Sequence, residues 1–179
     1  MSRDITLPES IDGMTVYEIL KANLLDIKDV FDKYKLDFWP IQGTFLGLYR
    51  DGDIIPYDND VDVAIRREDY PKIEQAKVDL EKKGFKYIYG LWSCPEVAKH
   101  VAFVRHMATV DVFLFEKKGL HRVNRHISQI AAEAFEIYNE LKYKGRKFRI
   151  FNNPEKWLSY FYGAWEIPVK GYHAFPKKE

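Results

Sequence analysis

The sequence predicts a single α/β domain over residues 1–179, in which helices flank a mixed β-sheet. Segments with the spacing of strands alternate with segments of helical spacing, which is typical of a sheet covered by helices. The length of 179 residues and the 46% apolar composition suit one hydrophobic core of ordinary size. No internal repeat or low-complexity segment breaks the alternation. These observations together indicate the fold class.

The first predicted elements are a helix and a short strand. Thr15 begins the helix, because Glu18 stands three residues later in the arrangement of a capping box. Apolar residues then recur at helical spacing through about residue 35: Val16, Ile19, Leu20, Leu24, Ile27, Val30, Phe31 and Tyr34. A strand is predicted at 37–42, where Pro40 indicates an edge or a strand end. Gly43 ends this strand.

An acidic strand follows at the end of the stretch 41–65, IQGTFLGLYRDGDIIPYDNDVDVAI. Three alternating apolar residues face a core: Val61, Val63 and Ile65. Asp60 and Asp62 therefore point to the other face, with Asp58 on that side too if the strand begins early. Like charges this close are costly unless a cation neutralises them, and carboxylate oxygens suit Mg²⁺ or Mn²⁺. The strand therefore predicts a divalent metal site.

A third acid stands on a later strand. A helix capped near Asp69 and ended by Gly84 precedes predicted strands at 85–91, 101–105 and 109–115. Asp111 interrupts the last of these, which reads TVDVFLF. Burying an unpaired carboxylate is expensive. Asp111 is therefore predicted either to meet a cation or to lie at an exposed strand end.

The C-terminal third is predicted to hold two helices and a hairpin. One helical stripe is formed by Ile127, Ile130, Ala131, Ala134, Phe135 and Tyr138. A hairpin at 141–151 turns at Gly145 and carries five basic residues, which are interpreted as a solvated face. Asn153 caps the last helix, which Gly163 ends. The tail, 169–179, is predicted to be loosely held.

Composition excludes several classes of protein. The lone Cys94 cannot form an internal disulfide, and the five histidines lack the paired spacing of a zinc site. A formal net charge of +1 gives no case for nucleic-acid binding. The N-terminus lacks the apolar run of a signal peptide, and no later run approaches the roughly 18 residues of a membrane span. We therefore expect a cytoplasmic protein without a membrane span.

A Gly-Thr turn, a paired acid strand and a third acid on another strand form a recurring arrangement for metal-assisted phosphoryl or nucleotidyl transfer. In these residues the chain resembles the nucleotidyltransferase superfamily, and more closely the LicD and fukutin family. Four blocks carry the resemblance over residues 43–168, in family order: GTFLGLYRDGDIIPYDNDVDVAI, REDY at 67–70, VDVF at 110–113 and YGAWEIP at 162–168.

The resemblance implies a nucleotidyltransferase-like fold and a metal-dependent phosphotransferase. Such an enzyme moves a phospho-alditol or phosphocholine group from a CDP-activated donor to a sugar or glycan hydroxyl, and CMP is released. By position, the implied catalytic and metal-binding triad is Asp60, Asp62 and Asp111. The implied substrate- or nucleotide-binding residues are Gly43, Thr44, Arg50 and Asp58. Asn59 and Ala164 stand where the family often has acids, which leaves the donor open.

Other interpretations of the same residues stay open at this point. The acids could form a solvated turn, although a calcium loop of the EF-hand type fails because Val63 replaces its required glycine. Gly43 and Thr44 could be a simple turn or could let backbone amides approach a phosphate. Arg50 could hold a donor phosphate or brace the carboxylates. The aromatic residues near the C-terminus, Trp157, Tyr162 and Trp165, are interpreted as packing.

Two rival functions use the same residues. A true nucleotidyltransferase would attack the α-phosphate of an NTP and release pyrophosphate. An inactive nucleotide-binding or regulatory module would have less need of all three acids. Four further residues, Lys99, His100, Arg105 and His106, receive no role from the sequence.

Overall fold

The computed structural model describes residues 10–11, 13–89, 100–124 and 128–169. Its helices are α1 (Val16–Lys33), α2 (Gln42–Arg50), α3 (Tyr70–Lys82) and α4 (Pro154–Tyr162). Its strands are β1 (Ser10–Ile11), β2 (Met14–Thr15), β3 (Trp39–Pro40), β4 (Asp60–Arg66), β5 (Lys86–Tyr89), β6 (His100–Arg105), β7 (Ala108–Lys118), β8 (His121–Asn124), β9 (Ser128–Ala131), β10 (Tyr138–Tyr143) and β11 (Arg146–Phe151). Two 3₁₀ turns lie at Arg67–Asp69 and Ala132–Phe135.

The main sheet is mixed, as the sequence predicts. Its strand order is β3-β4-β7-β6-β5, and β8 pairs with β7 while β9 pairs with β8. The two strands β4 and β7 run parallel, whereas the other pairs of this sheet are antiparallel. Two smaller ribbons are formed by β1 with β2 and by β10 with β11. The acidic strand β4 therefore lies inside the sheet, next to the strand that carries Asp111.

Helices cover both faces of this sheet. On one face α1 and α3 pack against the valines and Ile65 of β4, in the larger of two hydrophobic clusters. On the other face α2 and α4 pack in a second cluster around Ala64 of β4 and Phe115 of β7. Since side chains alternate along a strand, the first face takes the odd-numbered residues of β4 and the second takes the even-numbered ones. Asp60 and Asp62 therefore share the face of α2 and α4.

The predicted start of α1 is confirmed. The Glu18 backbone N–H donates to Thr15 Oγ1 at 3.2 Å, and the Thr15 backbone N–H donates to Glu18 Oε2 at 2.8 Å. These two bonds form the complete capping box. The buried residues of α1 follow the helical spacing of the sequence, and the helix ends at Lys33.

The predicted strand at 37–42 is shorter than expected. Only Trp39 and Pro40 pair with β4, and they form an edge strand, as Pro40 indicates. The chain leaves the extended conformation at Gln42, which has a positive φ of 51° and begins α2. Gly43 and Thr44 therefore lie in the first turn of a helix, so the predicted strand end at Gly43 and the alternative of a simple strand-ending turn are both wrong.

The predicted helix at 127–138 is also wrong. Residues 128–131 form β9, residues 132–135 form a 3₁₀ turn, and β10 begins at Tyr138. Residues 128–131 are extended rather than helical because β9 pairs with β8, which itself pairs with the end of β7. The 3₁₀ turn then buries Phe135, whose ring lies 4.8 Å from that of Trp39. Short apolar runs do not distinguish this arrangement from a helix.

The remaining predicted elements are present with small shifts. The helix α3 ends just before Gly84, and the hairpin of β10 and β11 turns at Lys144 and Gly145. The helix α4 begins at Pro154 and ends at Tyr162, and the next residue is Gly163, whose φ of 62° favours glycine. Asn153 precedes α4, but its side chain makes no capping hydrogen bond. Predictions for Cys94, Lys99, Ile127 and 170–179 lie outside the described residues.

Basic residues of the hairpin are paired with acids rather than gathered as one free patch. Arg146 donates to both carboxylate oxygens of Asp29 on α1, at 2.7 and 2.6 Å. Lys147 donates to Glu140 at 2.8 Å across the hairpin, and Arg149 forms an ion pair with Asp37. The contacts of Arg146 and Arg149 attach the hairpin to the rest of the fold, and that of Lys147 joins its two strands. They give the cluster a structural role beyond the solvated face that the sequence predicts.

Candidate active site

Three carboxylates converge on the face of the sheet that α2 and α4 cover. In the parallel pairing of β4 with β7, Asp62 lies directly beside Asp111, and Asp60 lies beside Thr109. One carboxylate oxygen from each of Asp60, Asp62 and Asp111 lies within 4.8 Å of the others. The sequence predicts this convergence, and the register of β4 and β7 produces it.

The first turn of α2 is fastened to the acidic strand by backbone hydrogen bonds at Asp62. The Ile41 backbone N–H donates to the Asp62 carbonyl at 3.0 Å. The Asp62 backbone N–H donates to Thr44 Oγ1 at 2.9 Å. Because β3 stops at Pro40, the Thr44 hydroxyl takes the place of a missing strand partner. Thr44 is buried, and its contact is with the backbone of β4 rather than with open space.

Gly43 lies directly against the carboxylate of Asp58. A Cβ atom on residue 43 would stand 2.5 Å from Asp58 Oδ2, which is far inside van der Waals contact. Any larger residue at position 43 would therefore force the Asp58 carboxylate to move. Asp58 Oδ1 accepts the backbone N–H of Asn59 at 3.1 Å, and the Asp58 side chain also hydrogen-bonds that of Asp60. The first turn of α2 thus lies in close contact with the acidic loop that leads into β4.

Burial and mutual repulsion perturb the pKa values of this acidic cluster. Burial first, and then the charges of Asp58 and Asp111, raise the pKa of Asp60 to about 7. The pKa of Asp62 is raised well above its ordinary value by burial and by the charges of Asp60 and Asp111. Burial also raises the pKa of Asp58. Without a cation, the ionised form of this cluster is therefore unfavourable.

These features fit a hard divalent cation. The donor atoms are carboxylate oxygens, which Mg²⁺ and Mn²⁺ prefer, and they are held on two rigid strands. A cation between them would remove the repulsion that raises the pKa values of Asp60 and Asp62. Asp60, Asp62 and Asp111 are the residues that would hold such an ion.

A cavity of about 650 Å³ opens beside the carboxylates. Its wall includes Asp58, Asp60 and Asp62 from the acidic segment and Gln42 and Gly43 from α2. The opposite wall is the end of α4 and the segment after it: Tyr162, Gly163, Ala164, Trp165, Ile167 and Val169. The volume is in the range of small-molecule sites. The acids that the sequence singles out therefore border a space of suitable size for a substrate.

Two aromatic residues have a larger role than the sequence suggests. Tyr162 and Trp165 pack in the second hydrophobic cluster, as predicted, but both also line the cavity. Burial and the charges of Asp62 and Asp58 raise the pKa of the Tyr162 hydroxyl, so this residue lies within the field of the acids. Trp157 packs in the cluster without lining the cavity. Helical spacing predicts the buried face of α4 but not which of its residues lie at the cavity.

Arg50 lies at the end of α2 and lines the same cavity. Its guanidinium donates to both carboxylate oxygens of Asp51, at 2.8 and 2.7 Å. It also donates to the Trp165 carbonyl at 3.3 Å. Arg50 therefore joins the segment after α4 to α2. The acid that it contacts is Asp51 and not a member of the triad. A contact with a donor phosphate stays a prediction.

His100 is a site residue that the sequence does not reveal. Its Nε2 lies 2.5 Å from Asp111 Oδ1. The two residues are eleven positions apart, and only the antiparallel pairing of β6 with β7 brings them together. Arg105, on the same strand, points to the other face and forms an ion pair with Asp26 of α1 at 2.7 Å. The sequence alone offers no signal that separates the two.

Among the described residues, none of the helices combines the length and the apolar character needed to cross a bilayer.

Two curated relatives are uncharacterized proteins of Rickettsia. The protein from Rickettsia typhi is 24% identical over 161 residues, which make up 86% of this chain and 47% of the relative. The protein from Rickettsia prowazekii is 30% identical over 77 residues, or 43% of this chain and 27% of the relative. The chain thus spans about half or less of the length of the curated relatives it matches.

Two solved structures resemble this fold. ANT(2″)-Ia, solved with adenylyl-2″-tobramycin, aligns with a TM-score of 0.52 at 19% identity, over 82% of this chain and 77% of that one. The lincosamide antibiotic adenylyltransferase LnuA, solved with lincomycin bound, aligns with a TM-score of 0.54 at 16% identity, over 83% and 89%. At such identities the likeness shows the fold alone, which is that of nucleotidyltransferases.

The sequence profile of the family described as LicD/FKTN/FKRP, nucleotidyltransferase domain, matches residues 35–150. This match covers more than half of the 179 residues and includes the whole of α2, β4 and β7. It therefore contains the three converging carboxylates and the helix that is fastened to them. The chain belongs to the LicD/FKTN/FKRP family and carries its nucleotidyltransferase domain.

Proposed function

We propose that this chain is a metal-dependent phosphotransferase. It moves a phospho-alditol or phosphocholine group from a CDP-activated donor to a sugar hydroxyl of a cytoplasmic acceptor, and it releases CMP. The observation that carries the proposal is the convergence of Asp60, Asp62 and Asp111 at the edge of a 650 Å³ cavity. Membership of the family supports the substrate class.

The cavity is assigned to the donor. Asp60 and Asp62 line it, whereas Asp111 is absent from its described lining. The donor diphosphate would therefore lie on the side of Asp60 and Asp62, with Arg50 and the first turn of α2 nearby. Arg50 supplies a guanidinium at this wall, and a planar guanidinium is well suited to phosphate oxygens.

The acceptor is assigned to the other side of the triad, at Asp111. When bound, a divalent cation at such carboxylates neutralises phosphate charge and lowers the pKa of a bound hydroxyl. Asp111 comes from a different strand than Asp60 and Asp62, so it can face a hydroxyl that approaches from outside the cavity. In the proposal Asp111 accepts the proton that the acceptor hydroxyl loses, as a general base.

Nucleotidyl transfer from an NTP is the second candidate. It is favoured by one observation, namely that the two solved structures of similar fold are an adenylyltransferase and a protein crystallised with an adenylylated product. The same three carboxylates would serve this reaction, which releases pyrophosphate instead of CMP. The acceptor would again be a hydroxyl group.

Product analysis tests the proposal. The protein would be incubated with Mg²⁺ and either CDP-ribitol, CDP-choline or an NTP, together with a set of sugar acceptors, and products would be followed by ³¹P NMR. CMP formation that needs Mg²⁺ and is lost in Asp62→Asn supports the phosphotransferase. Pyrophosphate formation from the NTP supports the second candidate. An enzymatic role would be contradicted if neither product formed and no nucleotide, in the presence of Mg²⁺, shifted the melting temperature of the protein.

A further inference from the structure

Asp111 has a hydrogen-bonding partner outside the triad. His100 lies on β6 opposite Phe113, and Asp111 lies opposite Ala102, so His100 and Asp111 are diagonal neighbours on one face of the antiparallel pair. The His100 Nε2 atom stands 2.5 Å from Asp111 Oδ1. One carboxylate oxygen of Asp111 is therefore already engaged by an element that neither Asp60 nor Asp62 belongs to.

The imidazole ring of His100 is held by its surroundings. Its centroid lies 4.8 Å from that of Phe113, with an interplanar angle of 31°. The side chains of His100 and Asp111 are 27% and 17% exposed, so the pair is shielded but reachable from solvent. The tilted contact with Phe113 restricts the orientation of the ring, and β6 fixes its point of attachment. In this arrangement Nε2 faces Asp111 in the absence of any ligand.

We propose that His100 is a positioning residue for Asp111. Its Nε2–H donates to Asp111 Oδ1 and so turns the second carboxylate oxygen toward Asp60 and Asp62, in the orientation that a divalent cation requires. Partners of this kind orient metal-ligating carboxylates and tune metal affinity. The inference rests on the proposed function of the triad as a cation site.

A purely structural role predicts something different. If His100 served only to pack on Phe113, an apolar side chain of similar size would replace it without effect on metal binding. If the hydrogen bond matters, a side chain that restores a donor near the Nε2 position should restore metal affinity. Glutamine places its amide nitrogen at about that reach, whereas the amide of asparagine is one carbon shorter.

Mn²⁺ binding to the whole chain tests this difference without any substrate. Affinities would be measured by electron paramagnetic resonance for wild type and for His100→Leu, His100→Asn and His100→Gln. The matched control is His121→Leu, at an exposed histidine on β8. We expect His100→Leu and His100→Asn to weaken Mn²⁺ binding roughly 10–100-fold, and His100→Gln to stay within about 3-fold of wild type. The control should not change.

Two results would overturn the inference. One is Mn²⁺ binding by His100→Leu or His100→Asn at the wild-type affinity. The other is an equal loss in His100→Gln and His100→Leu, since a restored donor would then recover no affinity and the hydrogen bond would have no part in metal binding. If His100→Leu does not fold by circular dichroism, the comparison of the asparagine and glutamine variants decides the question.

Failure of the proposed function gives a different pattern. Wild type that binds Mn²⁺ but releases neither CMP nor pyrophosphate would contradict the proposed reaction and leave the role of His100 intact. Wild type that binds no Mn²⁺ would contradict both. In an active enzyme, His100→Leu should lower kcat while the donor KM stays within about 3-fold, because the cavity lies on the side of Asp60 and Asp62.

Discussion

Replacing Asp60 by asparagine should stabilise the metal-free protein near neutral pH. Burial and the neighbouring charges of Asp58 and Asp111 raise the pKa of Asp60 from 3.8 to about 7. A difference of this size lowers the free energy of unfolding by roughly 4 kcal/mol once Asp60 is ionised in the folded protein. Asparagine keeps the shape of the side chain and carries no charge. We therefore expect a gain of about 2–4 kcal/mol at pH 8 without metal.

The sign of this effect sets its pH dependence. Between about pH 4 and pH 7 the folded protein holds a proton on Asp60 that the unfolded chain has released. The contribution of Asp60 to stability is therefore intact below pH 4 and is lost as the pH rises toward 7. Asparagine does not titrate, so the advantage of Asp60→Asn over wild type should be small at pH 4 and grow steadily to about pH 7.

Urea unfolding of both proteins at several pH values, in EDTA, measures this difference. Glu81→Gln is the matched control, because Glu81 lies exposed on α3. The difference in free energy of unfolding between Glu81→Gln and wild type should not change with pH. Adding Mg²⁺ should raise the free energy of unfolding of wild type and hardly change that of Asp60→Asn, so the stability advantage of the variant should disappear. A variant that is less stable than wild type at pH 8 in EDTA would refute the account of repulsion and point to a structural hydrogen bond instead.

Three further predictions concern other residues of the site. Asp111→Asn should keep the Mg²⁺-dependent donor affinity within a few-fold of wild type and lower kcat by about 10²–10⁴-fold in steady-state assays. Asp62→Asn should lower both the donor affinity and kcat. Loss of donor binding in Asp111→Asn would reverse the assignment of donor and acceptor to the two strands. Thr44→Val should lower the free energy of unfolding in urea by about 1–3 kcal/mol, because it leaves the partly buried Asp62 N–H without its acceptor, while Thr44→Ser should lower it less. Gly43→Ala should cost about 1–3 kcal/mol and weaken Mg²⁺-dependent donor binding in calorimetry, since its Cβ would displace the Asp58 carboxylate; unchanged binding would show that Asp58 does not contribute.

Local signals were sufficient where one segment decides its own structure. The capping box of Thr15 and Glu18 marks the start of α1, and the alternation around Asp60 and Asp62 marks β4 with its acids on one face. Both of these predictions depend on spacing along the chain, which the sequence displays directly. The cost of burying a lone acid left two possibilities for Asp111, a cation or an exposed strand end, and only the resemblance to the LicD and fukutin family placed it in the triad.

Features that depend on pairing between distant segments could not be predicted in the same way. His100 meets Asp111 only through the register of β6 and β7. The apolar residues at 127–138 have helical spacing, yet pairing of β9 with β8 holds their first part extended. Arg50 donates to the Trp165 carbonyl at 3.3 Å, although the two residues are 115 positions apart in the sequence. In each case the deciding contact is made by a segment that local periodicity does not identify.

Anomalous diffraction from crystals grown with Mn²⁺ would show directly whether the three carboxylates form a divalent cation site. We expect a strong peak with oxygens of Asp60, Asp62 and Asp111 at about 2.0–2.3 Å, and its disappearance in crystals of Asp62→Asn. Wild-type crystals that show no peak at the triad, or a peak held by other residues while the triad carboxylates lie apart, would contradict it.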